Sequence, residues 1–257
     1  LYYDSTDGSL RTWSGSAWTT PVVPSETLVA IADTPNANAV ADVFIYDTNK
    51  DTDGGAWRSR TQATSWYNET LNTATRGSTK EFPAVALIVA EAAKVTIYDL
   101  TDSAVPMWMV FESATSTYLS KMLARSAVVQ KAVSAINGVL CFVGNAGGNY
   151  GDAFLYANFV SDTASHRASS GAGLLNEPLS GRNTTVTINK VLPSLVSGQH
   201  NDIAMTVLPD APIDPATGLQ VPTIAVATDG GVSVITDSGA VWDFTGNANP
   251  WEWVAFT

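Results

Sequence analysis

Apolar and polar positions alternate in short runs along most of the chain, and this period of two predicts β-strands. The clearest series comprises residues 203–208, 223–228, 231–236 and 240–244. Gly230-Gly231 and Ser238-Gly239 mark turns between its later members. Residues 209–221 contain three prolines, so they predict a loop between the first two strands.

Three further groups of strand-like segments precede this series. They comprise residues 28–31, 43–46 and 56–61; then 84–90, 95–98 and 107–111; then 133–136, 139–143, 154–159 and 165–168. Asn137-Gly138 predicts a tight hairpin turn in the third group. The polar residues 65–80 predict a long connection, and residues 185–189 an isolated strand. Residues 118–131 suit one short helix, although Val128-Val129 also suits a strand.

A short unit recurs within this pattern: a β-rich run ending in Asp, a polar turn, and a strand carrying Trp. The three copies are Phe44-Ile45-Tyr46-Asp47 with Trp57, Thr96-Ile97-Tyr98-Asp99 with Trp108, and Val234-Ile235-Thr236-Asp237 with Trp242. A repeated unit that cannot bury its own apolar face must stack on copies of itself. The recurrence of the tryptophans at equivalent places favours a packing role for them.

Four groups of short strands predict an all-β fold of the β-propeller class, with several four-stranded antiparallel blades. A β-sandwich predicts similar strands but no repeated four-strand unit. We expect residues 1–24 to form a separate N-terminal hairpin or attachment segment, turning at Asp7-Gly8, and residues 25–257 to form the propeller-like domain. Residues 251–256 resemble a strand that begins another unit, so we expect a longer parent chain.

Charge and composition narrow the function classes. The net charge of −11 argues against binding to nucleic acid or to anionic lipid, because an acidic surface repels phosphate. No apolar run is long enough to span a membrane. The single cysteine, Cys141, excludes an internal disulfide. Only 14% of residues are charged, so the surface must rely on small polar side chains.

Several segments resemble parts of known virion proteins. Residues 42–69, 76–99 and 106–111 resemble a segment of large virion structural proteins of tailed bacteriophages, and residues 223–235 resemble propeller strands of those proteins. Residues 1–18 are similar to short hairpin modules of phage tail and fibre proteins. The resemblance covers about half of the chain and includes no catalytic motif. It implies a location in the virion, in the tail.

One segment has the beginning of a calcium-binding loop. Asn49, Asp51 and Asp53 alternate as oxygen donors before Gly54, which permits a sharp turn. An EF-hand requires a bidentate Glu at the twelfth position, where this chain has Arg60. A polar β-turn is the favoured interpretation; if calcium binds, these three residues are the expected ligands.

Other motifs for catalysis or cofactor binding are weak. The glycines after residue 143 lack the spacing and the following helix of a phosphate-binding loop. His166 and His200 are interpreted as surface or loop residues, because no nucleophile elbow accompanies them. We expect a protein that is not an enzyme and has no cofactor.

The most plausible exposed contact surface is Trp66-Tyr67, in a polar connection with Arg58, Arg60 and Arg76 nearby. Packing is the competing role for the tryptophans.

The sequence as a whole predicts a structural phage-tail component that contacts other tail proteins and forms a homo-oligomer. The alternatives are a tail protein that binds host-surface glycan and, less favoured, a propeller enzyme that cleaves glycan with two facing carboxylates.

Overall fold

The computed structural model describes residues 2–4, 9–13, 18–19, 40–113, 121–123, 128–146, 153–167, 173–246 and 250–257. Within these residues the protein is all-β, with antiparallel sheets, short 3-10 segments and no α-helix. A small N-terminal sheet contains β1 (Tyr2–Asp4), β2 (Ser9–Trp13) and β3 (Trp18–Thr19). β1 and β2 pair antiparallel, as the predicted hairpin requires; its Asp7-Gly8 turn lies outside the described residues.

Three larger sheets follow in chain order. The first sheet contains β4 (Val40–Asp47), β5 (Val85–Glu91), β6 (Lys94–Asp99) and β7 (Met107–Glu112). The second contains β8 (Val128–Ile136), β9 (Val139–Ala146), β10 (Ala153–Asn158), β11 (Thr163–His166), β12 (Gly173–Leu175) and β13 (Ile188–Val191). The third contains β14 (His200–Thr206), β15 (Thr223–Thr228), β16 (Gly231–Ile235) and β17 (Val241–Phe244). Strands that follow one another in each sheet are hydrogen-bonded neighbours.

The first two predicted strand groups belong to one sheet. The predicted strand at residues 56–61 is wrong, because Ala56–Arg60 forms a 3-10 helix. β4 therefore pairs directly with β5, across the long connection between them. The predicted strand at residues 28–31 lies outside the described residues.

Other sequence predictions are also resolved. Val128 and Val129 lie on β8, so the strand interpretation is correct for residues 128–131, where the helix prediction is wrong. Asn137 and Gly138 both adopt positive φ, as a tight β8–β9 turn requires. Residues 250–257 contain no strand, contrary to the prediction for the tail.

The second sheet lies between the other two. Leu140 and Phe142 on β9 belong to the apolar cluster shared with the first sheet, which includes Ile88 and Ile97. Cys141 and Val143 point to the opposite face and pack in a cluster with Ile203, Val226 and Ile235 of the third sheet. Because both faces are buried, residues 139–143 read as a continuous apolar run rather than an alternating one.

The first strands of the three sheets carry the same irregularity. Each has a register shift near its beginning, between Val40 and Asp42, between Gln130 and Ala132, and between His200 and Asp202. β4 also lies against β8, and β8 against β14. A bulge at one equivalent position in three sheets indicates a structural repeat, since bulges are built features of a fold.

The predicted sequence repeat coincides with this structural one only in two of its three copies. Thr96–Asp99 lies on the third strand of its sheet and Val234 on the third strand of another, whereas Phe44–Asp47 lies on a first strand. Trp57 is on a 3-10 helix and is fully buried, whereas Trp242 is on an edge strand and 64% exposed. Trp57 therefore does not occupy an equivalent place, whereas Trp108 and Trp242 both lie on the fourth strand of their sheets but differ in burial.

Candidate functional site

The segment proposed as a calcium loop has protein partners for its carboxylates. Asp51 is buried, and its Oδ2 accepts hydrogen bonds from the Tyr46 hydroxyl at 2.5 Å and from Trp57 Nε1 at 2.7 Å. Asp51 Oδ1 accepts a bond from the backbone N–H of Asn137 at 2.7 Å. Asp53 forms an ion pair with Arg60 at 3.0 Å. These contacts link the 3-10 segment to the β8–β9 turn.

Burial shifts the pKa of two groups in this network. It raises the pKa of Asp51 above its ordinary value, although the three hydrogen bonds act in the opposite direction. It also raises the pKa of Tyr46, whose hydroxyl accepts the backbone N–H of Gly138 at 2.7 Å. The network thus holds a turn in place through buried, paired polar groups.

Asn49 lies apart from this network. Its side-chain amide donates to Asp47 Oδ1 at 2.9 Å, and the residue is exposed. In the part of the chain that the structure describes, no group of three or more His, Cys, Asp or Glu side chains is arranged to hold a metal ion. Calcium binding by Asn49, Asp51 and Asp53 stays a prediction.

The predicted contact surface is only partly at the surface. Trp66 is fully buried and Arg76 is 1% exposed, so the prediction that they are exposed is wrong. Tyr67 and Arg58 are half-buried, and Arg60 is exposed. Trp66 is covered because its indole N–H donates to the Phe159 carbonyl at 2.9 Å and its ring packs edge-on against Trp108.

Arg76 belongs to a buried ionic cluster with Glu69 and Arg182. Glu69 pairs with Arg76 at 3.5 Å and also with Arg182. The Arg76 guanidinium lies 4.4 Å from the Trp108 ring centre and donates to the Trp108 carbonyl, while Arg182 donates to the Val110 carbonyl. Burial lowers the pKa of Arg76 to about 10. The cluster fastens the connection between β4 and β5 to β7 and to the loop after β12.

The histidines are not surface residues, contrary to the sequence interpretation. His166 is buried on β11, where its Nε2 contacts the carbonyl of Met122. His200 is buried at the beginning of β14, and its backbone N–H donates to Asn145 Oδ1 at 2.6 Å. Both side chains therefore lie in the protein interior.

Two carboxylates that the sequence interpretation missed lie at equivalent positions of the first strands. Asp42 Oδ2 accepts a bond from the backbone N–H of Val133 at 2.9 Å, which joins β4 to β8. Asp202 Oδ2 accepts the backbone N–H of Val254 at 2.9 Å. Burial raises the pKa of Asp42 to about 6, and the charge of Asp202 adds to that rise. An Asp directly before an apolar strand run was the available signal.

A second overlooked feature is an aromatic surface on the third sheet. Trp242 and Phe244 on β17 are 64% and 60% exposed. Trp251 and Trp253 are 41% and 73% exposed and line a groove of about 510 Å³ together with Val232. Val232 pairs with Phe244 across β16 and β17, which places the groove beside the β17 aromatics. We call these four side chains the aromatic face.

No family model and no curated protein matches this chain. Among the described residues, no helix is long and apolar enough to cross a membrane.

Proposed function

We propose that the protein is a non-enzymatic structural component of a bacteriophage tail, built on a β-propeller whose blades include the three larger sheets. The equivalent bulges in β4, β8 and β14 carry the propeller part of this proposal, because they mark three copies of one unit. The stacking of each sheet on the next through apolar faces supports the same arrangement. The second sheet departs from it by extending to six strands.

The work of such a protein is mechanical. Buried polar networks fix the connections, and the resulting rigid sheets present surfaces to other tail proteins and to further copies of the chain. The resemblance of residues 42–69, 76–99 and 106–111 to virion structural proteins supports the tail location. The acidic net charge of −11 argues against nucleic acid as a partner.

Immunogold electron microscopy of intact source particles tests this proposal, with antibody raised against residues 27–247. We expect label on the tail, and its position along the tail separates a nozzle component from a fibre. Unlabelled particles together with free protein in the medium would contradict the proposal.

Binding of host-surface glycan is the second candidate function. Exposed Trp242 and Trp253 favour it, because flat aromatic rings stack on sugars. It requires saturable binding of host polysaccharide that is lost in a Trp253→Ala variant. Reducing-sugar release from host envelope would instead indicate the glycan-cleaving alternative.

A further inference from the structure

The third sheet has two faces of different character. Ile235 and Val241 pack in the cluster shared with the second sheet, and Ser233 Oγ donates to Asp243 Oδ1 at 2.6 Å on the same side. Trp242 and Phe244 alternate with Val241 and Asp243, so they point to the opposite side. The aromatic face is therefore the outer surface of the stack of three sheets.

The aromatic face is held in a defined position. The segment that carries Trp251 and Trp253 is anchored by the bond from Trp251 N–H to the Thr228 carbonyl at 3.1 Å. Asn201 Nδ2 donates to the Trp251 carbonyl at 3.1 Å, and Val254 N–H donates to Asp202. These bonds fix the backbone while the two indoles remain exposed.

Its chemistry is that of an interface core. Among the described residues that line the groove, Glu252 alone is charged. Exposed aromatic surface with little charge is typical of the centre of a protein–protein interface and is uncommon on the free surface of a monomer.

We propose that the aromatic face binds the same face of a second copy of this chain, around a two-fold axis. A two-fold contact needs one patch that fits itself, and the aromatic face meets that condition because an apolar surface can pack against a copy of itself. The contact continues the sheet-on-sheet stacking that already joins the first, second and third sheets. This contact would be the interface of the homo-oligomer that the proposed function includes. The inference rests on the proposed function only for that role in the oligomer.

The exposed area suits a reversible dimer. With about 200 Å² for each aromatic side chain, the exposed fractions of the four residues give nearly 500 Å² per copy. Two copies would bury about 1,000 Å², near the lower limit of specific interfaces. Association should therefore depend on concentration.

Sedimentation velocity over a dilution series of the whole chain tests the proposal. We expect the weight-average mass to approach twice that of one chain as concentration rises. A double variant, Trp242→Ser with Phe244→Ser, should remain monomeric. The matched control is Ile213→Ser, because Ile213 is 65% exposed but lies in the loop between β14 and β15; it should associate like the wild type.

Cross-linking provides a second readout, because it reports the proximity of two copies and replaces only one aromatic side chain of the face at a time. Cys141 is fully buried, so a cysteine placed at the surface is the reactive one. Oxidation should give a covalent dimer of Trp242→Cys or Phe244→Cys and none of Ile213→Cys.

Two results would overturn the proposal. One is a wild-type chain that stays monomeric at every concentration. If host polysaccharide also protects Trp253 of that monomer from a fluorescence quencher, the aromatic face binds glycan instead of a second copy. The other is equal association or equal cross-linking of the face variants and the Ile213 controls. Neither result changes the location that immunogold labelling reports, so this proposal and the proposed function can fail separately.

Discussion

The first and third sheets use the same residue type in opposite ways. Trp66 and Trp108, associated with the first sheet, are buried, whereas Trp242 and Trp253 at the third sheet are exposed. The connection between β4 and β5 supplies Trp57, Trp66 and Phe82, which pack with Trp108 and Phe159 in mutual edge-on or tilted contacts. The corresponding loop of the third sheet contributes Leu219 to the interior but leaves β17 uncovered. Whether a tryptophan stabilises the fold or stays exposed to solvent therefore depends on whether a connecting segment covers it, and not on the residue type.

The largest expected effect separates the two groups of tryptophans. Trp108→Ala should lower the free energy of unfolding by about 3–5 kcal/mol, because it opens a cavity among three aromatic rings and removes the contact with Arg76. Trp253→Ala should change it by less than about 0.5 kcal/mol. Urea unfolding at a concentration where the chain is monomeric measures both. Equal effects would break the comparison.

Next in size is the ionic cluster that fastens the β4–β5 connection. Glu69→Ala should cost about 3 kcal/mol, since it leaves the guanidinium groups of Arg76 and Arg182 buried without a carboxylate. Glu81→Ala is the control, because Glu81 is half-exposed and its ion pair with Arg58 is long, at 3.7 Å. Solvent screens such a pair, so its loss should cost under about 1 kcal/mol. A similar cost for both variants would mean that the cluster does not hold the connection.

The Asp42 carboxylate gives a pH dependence of intermediate size. Its pKa rises from 3.8 to about 6 on folding, so the folded protein binds the proton more tightly than the unfolded chain. The resulting stabilisation is fully present below about pH 4 and is lost as the pH rises through about 6.

We therefore expect the free energy of unfolding to increase by about 1.3 kcal/mol between pH 7 and pH 5. Burial also raises the pKa of Asp51 and Asp202, which adds in the same direction. Urea unfolding at several pH values measures this slope, and Asp42→Asn should reduce it. A slope that Asp42→Asn leaves unchanged would exclude Asp42 as its source.

The smallest effect concerns the turn that meets the buried aromatic network. Gly138 has φ of +71°, and a Cβ there would lie 2.6 Å from Val160 Cγ2. Gly239 has φ of +80° with no atom within 4 Å of such a Cβ. Both Ala variants should lose about 1 kcal/mol through backbone strain, and Gly138→Ala about 1 kcal/mol more through the close contact. Identical melting curves would show that the turn tolerates the methyl group.

Much of the strand pattern was predictable from the sequence. Residues 139–143 and 223–228 are apolar or β-branched runs beside turn residues, and both are strands. The third sheet was predicted strand by strand, because its last two turns are short and the prolines of residues 209–221 mark the loop between its first two strands. The pairing of β4 with β5 was not predicted, since nearly forty residues separate the two strands in the chain.

The functional surfaces were harder to predict. Arg76 and Trp66 lie in a polar segment, and their burial depends on Glu69, Arg182 and Phe159, which reach them only through the fold. The spacing of Trp242 resembled that of buried Trp108. Its exposure depends on which face of β17 lies outside the stack, and periodicity alone cannot distinguish the two faces of an edge strand.

Fluorine NMR of the chain labelled with 5-fluorotryptophan tests the difference between the two regions most directly. Single Trp→Phe variants assign each resonance, and the spectrum is then followed over a dilution series. We predict that the Trp242 and Trp253 resonances shift with concentration while those of Trp57, Trp66 and Trp108 stay fixed. Fixed resonances for Trp242 and Trp253, or concentration-dependent shifts at the buried tryptophans, would contradict the account.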